Sequence, residues 1–258
     1  MISMTHKKIT FVSTDTKKAQ NACKKLTELY GNVSPKDADI IVALGGDGYM
    51  LEALHQYLPL NKPVFGMNRG TIGFLMNEYQ EPNLLIRLEQ AETVEVHPLF
   101  MEAIDNKGQK YSALAINEVS LLRGSRQAAK LKIFINARCR MDELICDGAL
   151  VCTPAGSTAY NLSVHGPVLP LGSNSLAITP ISAFRPRRWR GAVVPDSASI
   201  KFEIIDSKKR PVSVVADRLE IRDVLTVTIK EDRSQSIRML FDPEHHLEER
   251  ILAEQFLP

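Results

Sequence analysis

The chain has 258 residues, of which 44% are apolar and 24% charged, with a formal net charge of +2. That length buries a substantial core as one large domain or two modest ones, and the composition is that of an ordinary globular protein. So small a net charge excludes an electrostatic case for nucleic acid or an anionic membrane as partner, and charge, Pro or Gly interrupts every apolar stretch before it reaches the length of a membrane span.

The opening MISMTHKKITFVST lacks the uninterrupted apolar core of a signal peptide, so a cytosolic protein is expected. Lys8–Ser13 reads as a short strand. Thr14 or Asp15 is placed to cap a helix running to about Tyr30, with Ala19, Ala22, Cys23, Leu26 and Leu29 at helical spacing. Asp39–Leu44 (DIIVAL) is a continuous apolar run, as in a strand buried on both faces of a parallel sheet. The glycines of Gly45–Gly48 end it, and a helical pattern carrying Met50, Leu51, Leu54 and Leu58 follows. Pro63–Met67 is a further buried strand, and a helix is expected near Pro82–Gln90. This alternation predicts an α/β unit with right-handed crossovers.

From about Thr93 the pattern becomes all β. Strands are expected at Val94–Ile104, Ser112–Leu122, Leu131–Ile135, Ala149–Thr153, Ile200–Ile205, Val212–Ala216, Leu225–Ile229 and Ile237–Leu240, with a hairpin turn at Asp105–Gly108. The expected organisation is an α/β domain with a Rossmann-like open sheet over 1–92 and an all-β domain of stacked sheets over 93–242. The segment 243–258 is expected to form a helix, Pro243–Phe256, that packs back on the first domain. The cysteines Cys23, Cys139, Cys146 and Cys152 form no CxxC pair and have no histidine at zinc-ligand spacing, so free thiols are expected and no metal site is assigned to the chain.

Three segments carry chemistry. Gly45-Gly46-Asp47-Gly48 follows a strand directly, at the end where open α/β sheets bind ligands. Its glycines let the backbone approach phosphates, and a helix N-terminus follows. Asp47 is a poor phosphate ligand by charge and better suited to act as a general base or to organise a metal. The alternative is a tight turn with Asp47 as helix cap, at even odds on spacing alone. Asn117-Glu118 ends a strand-like run and offers hydrogen bonds to a polar ligand such as ribose or adenine; alone, it reads equally as an ordinary strand. The third, Asp147 to Ser163 (DGALVCTPAGSTAYNLS), holds a strand, a Pro/Gly turn and a cluster of small hydroxyl residues opening a helix, with Tyr160 as a flat face for a base or nicotinamide ring; alone, it reads equally as a capped helix after a turn.

Taken together and in this order, GGDG, NE and TPAGSTAY closely resemble the motifs of the NAD kinases. The resemblance runs from about Ile40 to beyond Pro180. GGDG also occurs in the diacylglycerol kinase and phosphofructokinase relatives, whereas the TPAGSTAY segment is far more specific. The resemblance implies transfer of the γ-phosphate of ATP to the 2′-hydroxyl of the adenosine ribose of NAD, giving NADP. It implies that Asp47 is the general base and that Gly45, Gly46 and Gly48 line the phosphate-donor site. Asn117 and Glu118 would bind the adenosine of NAD, and Asp147 its nicotinamide end or a neighbouring subunit's ligand. Ala155, Ser157, Thr158, Ala159, Tyr160, Asn161, Leu162 and Ser163 would wrap the dinucleotide. It also implies Mg²⁺ carried with ATP and a homo-oligomer, dimer or tetramer.

The chain departs from the family's usual pattern at several points. Tyr49 follows GGDG where a small Thr is common, and Arg69 stands inside the Asn-x-Gly of MNRGTIGFL, a cation near the expected phosphate site that reads as a phosphate contact or as a solvated loop residue. Ile145 stands where some members have Arg, and Ala216-Asp217-Arg218-Leu219 replaces a VDGQ-like turn, so no site is carried over there. Arg185, Arg187, Arg188 and Arg190 surround Trp189, a cluster that reads as a site for phosphates or an acidic neighbour, or as a basic loop or subunit contact. Two other functions compete: a non-catalytic dinucleotide sensor, and a lipid or sugar kinase sharing GGDG alone.

Overall fold

The computed structural model describes residues 7–70 and 74–243. In chain order it begins with β1 (Ile9–Ser13), α1 (Lys17–Tyr30), β2 (Ile40–Gly45), α2 (Asp47–Tyr57), β3 (Val64–Asn68), α3 (Leu84–Gln90) and β4 (Glu92–Val96). There follow β5 (Leu99–Asp105), β6 (Lys110–Ala115), β7 (Glu118–Arg123), β8 (Ala129–Ile135), β9 (Arg138–Cys146), β10 (Gly148–Cys152), α4 (Tyr160–Ser163), β11 (Ser175–Ile181) and β12 (Ala192–Pro195). The last strands are β13 (Ile200–Ile204), β14 (Val212–Ala216), β15 (Leu219–Ile221), β16 (Val224–Glu231) and β17 (Ile237–Phe241).

The chain forms two compact units, Met1–Val96 with Gln235–Pro258, and His97–Ser234. In the first, a five-stranded sheet has the order β1-β2-β3-β17-β4. The pairs β1–β2, β2–β3 and β3–β17 are parallel, while β4 runs antiparallel to β17. β2 is buried along its whole length, as a strand covered on both faces must be. Ala19, Ala22 and Leu26 of α1 pack with Phe11, Val42, Leu44 and Phe65 in the core of this unit. The cap of α1 is Thr16, whose Oγ1 accepts the Ala19 N–H at 3.3 Å, one or two residues later than the sequence suggests. β17 meets β3 over only two register pairs, and the fully buried Asn77 reinforces the joint. Its Nδ2 donates to Gly66 O and Leu240 O, both at 3.0 Å, and its Oδ1 accepts the Asp242 N–H at 2.9 Å.

The second unit stacks two antiparallel six-stranded sheets, β12-β11-β10-β7-β14-β15 and β6-β5-β16-β13-β8-β9. Their inner faces share one core, in which Leu121, Val151 and Val214 from one sheet meet Met101, Phe202 and Val227 from the other. β5 and β14 alternate buried and less buried residues, the period of a sheet with one face inward. β10 is buried throughout, because its second face carries Leu150 and Cys152 in a smaller cluster against Tyr160 and Val164.

The division between units differs from the expected boundaries at 92 and 242. The expected strand Val94–Ile104 breaks at His97-Pro98, since Pro98 has no N–H to give a ladder, and its halves β4 and β5 join different sheets. Ile237–Phe241, expected in the all-β domain, belongs to the first sheet. The expected Ser112–Leu122 strand breaks at Ile116-Asn117, whose N–H groups bond to a side chain, Asp217. The expected helix Pro243–Phe256 lies outside the described residues apart from Pro243. Among the described residues, no helix is long and apolar enough to cross a membrane.

Candidate active site

In the first unit the GGDG loop stands at the carboxyl end of β2. Gly46 takes extended backbone angles and precedes α2, whose first residue is Asp47. The neighbouring loop after β3 lies against it: the Arg69 N–H donates to Gly45 O at 2.7 Å, and a Cβ on Gly70 would stand 3.3 Å from the Gly46 Cα. Tyr49 folds back over Gly45, so that a Cβ there would meet the Tyr49 Cβ at 2.6 Å. Burial pushes the Tyr49 phenol up to about 12, so it stays protonated. Gly48 is exposed, with open space where a side chain would be. The Asp47 carboxylate is half-buried and does not cap its own helix by a side-chain bond. Instead Oδ2 accepts the Phe74 N–H at 2.7 Å and Oδ1 the Leu75 N–H at 3.0 Å. Each oxygen keeps lone-pair capacity beyond that bond.

In the second unit the NE and TPAGSTAY segments come together. Thr153, just past β10, donates from Oγ1 to Ile116 O at 2.7 Å, accepts the Gly156 N–H at 3.0 Å, and gives its own N–H to Asn117 O at 2.9 Å. A Cβ on Gly156 would stand 2.1 Å from Asn117 O, so glycine is required for this approach. Asp217, in the turn after β14, holds the other side of the same peptides. Its Oδ2 accepts the Ile116 N–H at 2.5 Å, and its Oδ1 accepts those of Asn117 and Glu118 at 3.1 and 3.2 Å. With the backbone so held, Asn117 Oδ1 and Glu118 Oε2 are buried and have no hydrogen-bond partner among the described residues. Burial, helped by the Asp217 charge, raises the Glu118 carboxyl from 4.5 to about 7, so near neutrality it both donates and accepts.

The Ala155–Ser163 run is shorter in helix than the sequence suggests. It is a 3₁₀ turn, Ala155–Thr158, followed by the single turn of α4. Ser157 and Asn161 are fully buried, and their polar atoms serve the protein itself. Ser157 Oγ donates to Pro154 O at 2.7 Å and accepts the Leu169 N–H at 3.0 Å. Asn161 Nδ2 donates to Ser157 O and Pro167 O, and its Oδ1 accepts the Thr179 hydroxyl at 2.7 Å. These two and the buried Ala155 build the turn. Thr158, Ala159, Tyr160 and Leu162 are half-buried and Ser163 is exposed. Asp147 pairs with Arg123 at 2.6 Å, and both line a cleft of about 580 Å³ with Tyr160, Ser125 and Ile181. A second cleft of about 400 Å³ is lined by Ser163, His165, Arg187, Trp189 and Arg190.

Sequence reasoning passed over Asp217 and Arg123. An Asp between two short β runs was the available signal for the first; it sits at a positive φ of 46° in the β14–β15 turn. Arg123 carried no local signal, because its partner lies one strand away.

Residues 1–95 match the family model described as the ATP-NAD kinase N-terminal domain, and residues 116–235 that of the ATP-NAD kinase C-terminal domain. The NAD kinase of Caulobacter vibrioides is 58% identical over 249 residues, covering 96% of each chain. A crystal structure of yeast NADH kinase complexed with NADH has the same fold at a TM-score of 0.81 and 20% identity, over 96% of this chain and 86% of that one. So does an NAD kinase from Archaeoglobus fulgidus in complex with ATP, at 0.74 and 22%, over 95% and 97%. The chain therefore belongs to the ATP-NAD kinase family.

Proposed function

We propose that this chain phosphorylates the 2′-hydroxyl of the adenosine ribose of NAD with ATP, releasing NADP and ADP. Beside family membership, one observation supports the acceptor most directly: Asn117 Oδ1 and Glu118 Oε2 are buried acceptors with no partner among the described residues. Leaving such atoms unpaired costs about 1–3 kcal/mol each, which a ligand bringing N–H and O–H groups recovers. Adenosine has both. Thr158, Ala159, Tyr160, Leu162 and Ser163 follow Gly156, whose backbone lies against Asn117, and complete the dinucleotide contacts. Asp147, oriented by Arg123, serves the nicotinamide end.

In the first unit, Gly45, Gly46 and Gly48 leave a backbone surface without side chains for the donor phosphates. Asp47 takes the proton of the 2′-hydroxyl as that oxygen bonds to the γ-phosphorus and the bond to the bridging oxygen of ADP breaks. Its two backbone bonds fix its orientation, which is what a general base requires. Mg²⁺ enters as part of the ATP substrate, held by phosphates and water. Among the described residues, no group of three His, Cys, Asp or Glu side chains is placed to hold a metal ion. We further place the protein in the cytosol as a homo-oligomer, to be checked by light scattering on the purified chain.

The test is a coupled assay of purified protein with NAD, ATP and Mg²⁺, read by an NADP-specific dehydrogenase, with Asp47→Asn alongside. A general base contributes about 10²–10⁴-fold, so the variant should lose at least ~100-fold in kcat. The amide also turns an NH₂ toward a backbone donor, so the melting temperature must be followed with the rate. A folded variant with near-normal turnover would remove Asp47 from this role. Wild-type protein that binds NAD but makes no NADP would point to a sensor.

A further inference from the structure

We propose that Arg69, held over the Tyr79 ring, grips the terminal phosphates of the donor, supplying a fixed positive charge that the glycine loop lacks. The inference rests on the kinase assignment above and adds a residue to its donor site.

Position is the first argument. Asn68 is the register partner of Gly45, so Arg69 leaves the sheet at the same end as the GGDG loop. Its N–H donates to Gly45 O at 2.7 Å, and the Asn68 side chain accepts the Gly70 N–H at 2.8 Å, turning the loop against Gly46. The side chain therefore starts beside the backbone expected to hold phosphate.

The second argument is how the guanidinium is held. Its Cζ lies 4.0 Å from the Tyr79 ring centroid, a cation–π contact that positions the group without using its N–H donors in hydrogen bonds. Nε is buried and has no hydrogen-bond partner among the described residues. Among the described residues no carboxylate forms an ion pair with Arg69. The nearby Glu81 accepts from the Tyr79 hydroxyl at 2.9 Å and from Lys25 Nζ at 3.3 Å. The platform is itself fixed. Tyr30 donates to Glu81 O at 2.7 Å, and Arg87 Nη2 to Glu78 O at 2.8 Å, bracing the chain on both sides of Tyr79. A cation held over a ring, with no carboxylate in ion-pair contact among the described residues and with Glu81 already bonded to Tyr79 and Lys25, keeps N–H donors for the planar fork that phosphate oxygens accept. Phosphoryl transfer spreads negative charge over the γ-phosphoryl oxygens, and a cation held there before the reaction is charge neutralisation already in place.

The test compares wild type with Arg69→Ala, Arg69→Lys and Tyr79→Ala. Steady-state kinetics vary ATP and NAD separately, and calorimetry titrates inorganic tripolyphosphate as an activity-independent probe. Loss of charge-assisted bonds should raise KM for ATP ~10- to 100-fold in Arg69→Ala, with KM for NAD within about twofold. Arg69→Lys should recover part of the loss, and Tyr79→Ala should weaken ATP without abolishing it. Tripolyphosphate affinity should fall in Arg69→Ala by the factor seen for ATP. An unchanged KM for ATP, an equal rise for both substrates with a lowered melting temperature, or unaltered tripolyphosphate binding would each overturn the assignment. Wild type that makes no NADP would end the kinase reading instead, and the tripolyphosphate titration would still decide Arg69.

Discussion

Glu118→Gln should flatten the dependence of stability on pH. Burial and the Asp217 charge hold the Glu118 carboxyl at about 7 against an ordinary 4.5. Below pH 4.5 the group is neutral in folded and unfolded chains and costs nothing. Between 4.5 and 7 the unfolded chain loses this proton while the folded one keeps it, so stability falls as pH rises; above 7 the loss is complete. At about 1.4 kcal/mol per pH unit the ceiling is about 3 kcal/mol, and because Glu118 is only half-buried, solvent screening brings the expected figure to about 2 kcal/mol. The other nearby titratable groups are common to both proteins and cancel in the comparison. They include Cys152, whose thiol burial pushes up to about 12. Melting temperatures of wild type and variant are measured at pH 5 and pH 8. At about 2–4 °C per kcal/mol for a chain of this size, the variant should gain roughly 4–8 °C on wild type between the two. Parallel curves, with the difference constant to about a degree, would refute the claim that Glu118 is buried and neutral in the folded protein.

Three other substitutions test the scaffold. Gly156→Ala places a Cβ 2.1 Å from the backbone oxygen of Asn117, so a loss of more than ~3 kcal/mol and of NAD binding is expected, read by urea unfolding and NAD titration. Asp217→Ala strips the acceptor from the N–H groups of Ile116, Asn117 and Glu118; KM for NAD should rise at least ~10-fold while KM for ATP holds, and equal rises would reject the local role. Asn77→Ala takes the side-chain bonds from Leu240 O and the Asp242 N–H, while Gly66 O keeps the backbone N–H of residue 77. The melt should show a loss of about 3 kcal/mol, with hydrogen exchange faster in β17.

What could be read from the sequence followed physical periodicity. DIIVAL announced a doubly covered strand because nothing polar interrupts it, and β2 is that strand. β9 escaped notice because Arg138, Arg140, Asp142 and Glu143 face solvent on an edge strand, leaving too few apolar residues for a signal. β11 escaped because Pro180 sits inside it. At the site, motif chemistry identified the segments but not the division of labour within them. Ser157 and Asn161 are polar residues in a ligand motif, yet they are spent on the turn itself, and only burial and bonding reveal it. Asp217 lies a hundred residues from the peptides it holds, a separation that local pattern cannot bridge.

The placement of β17 has a consequence for how the protein is made. Because β17 lies between β3 and β4, the first sheet has an empty slot until synthesis has passed the whole of His97–Ser234. On the ribosome β4 has no sheet neighbour to join, and β3 presents an apolar open edge, which invites association with other chains. All the strands of the second unit, by contrast, emerge in one continuous stretch. The usual N-terminal-first order of domain folding is thus reversed, with the inserted unit completed first and the amino-terminal unit closed last. Chains stopped just before Ile237 should therefore carry a finished second unit and an aggregation-prone first one.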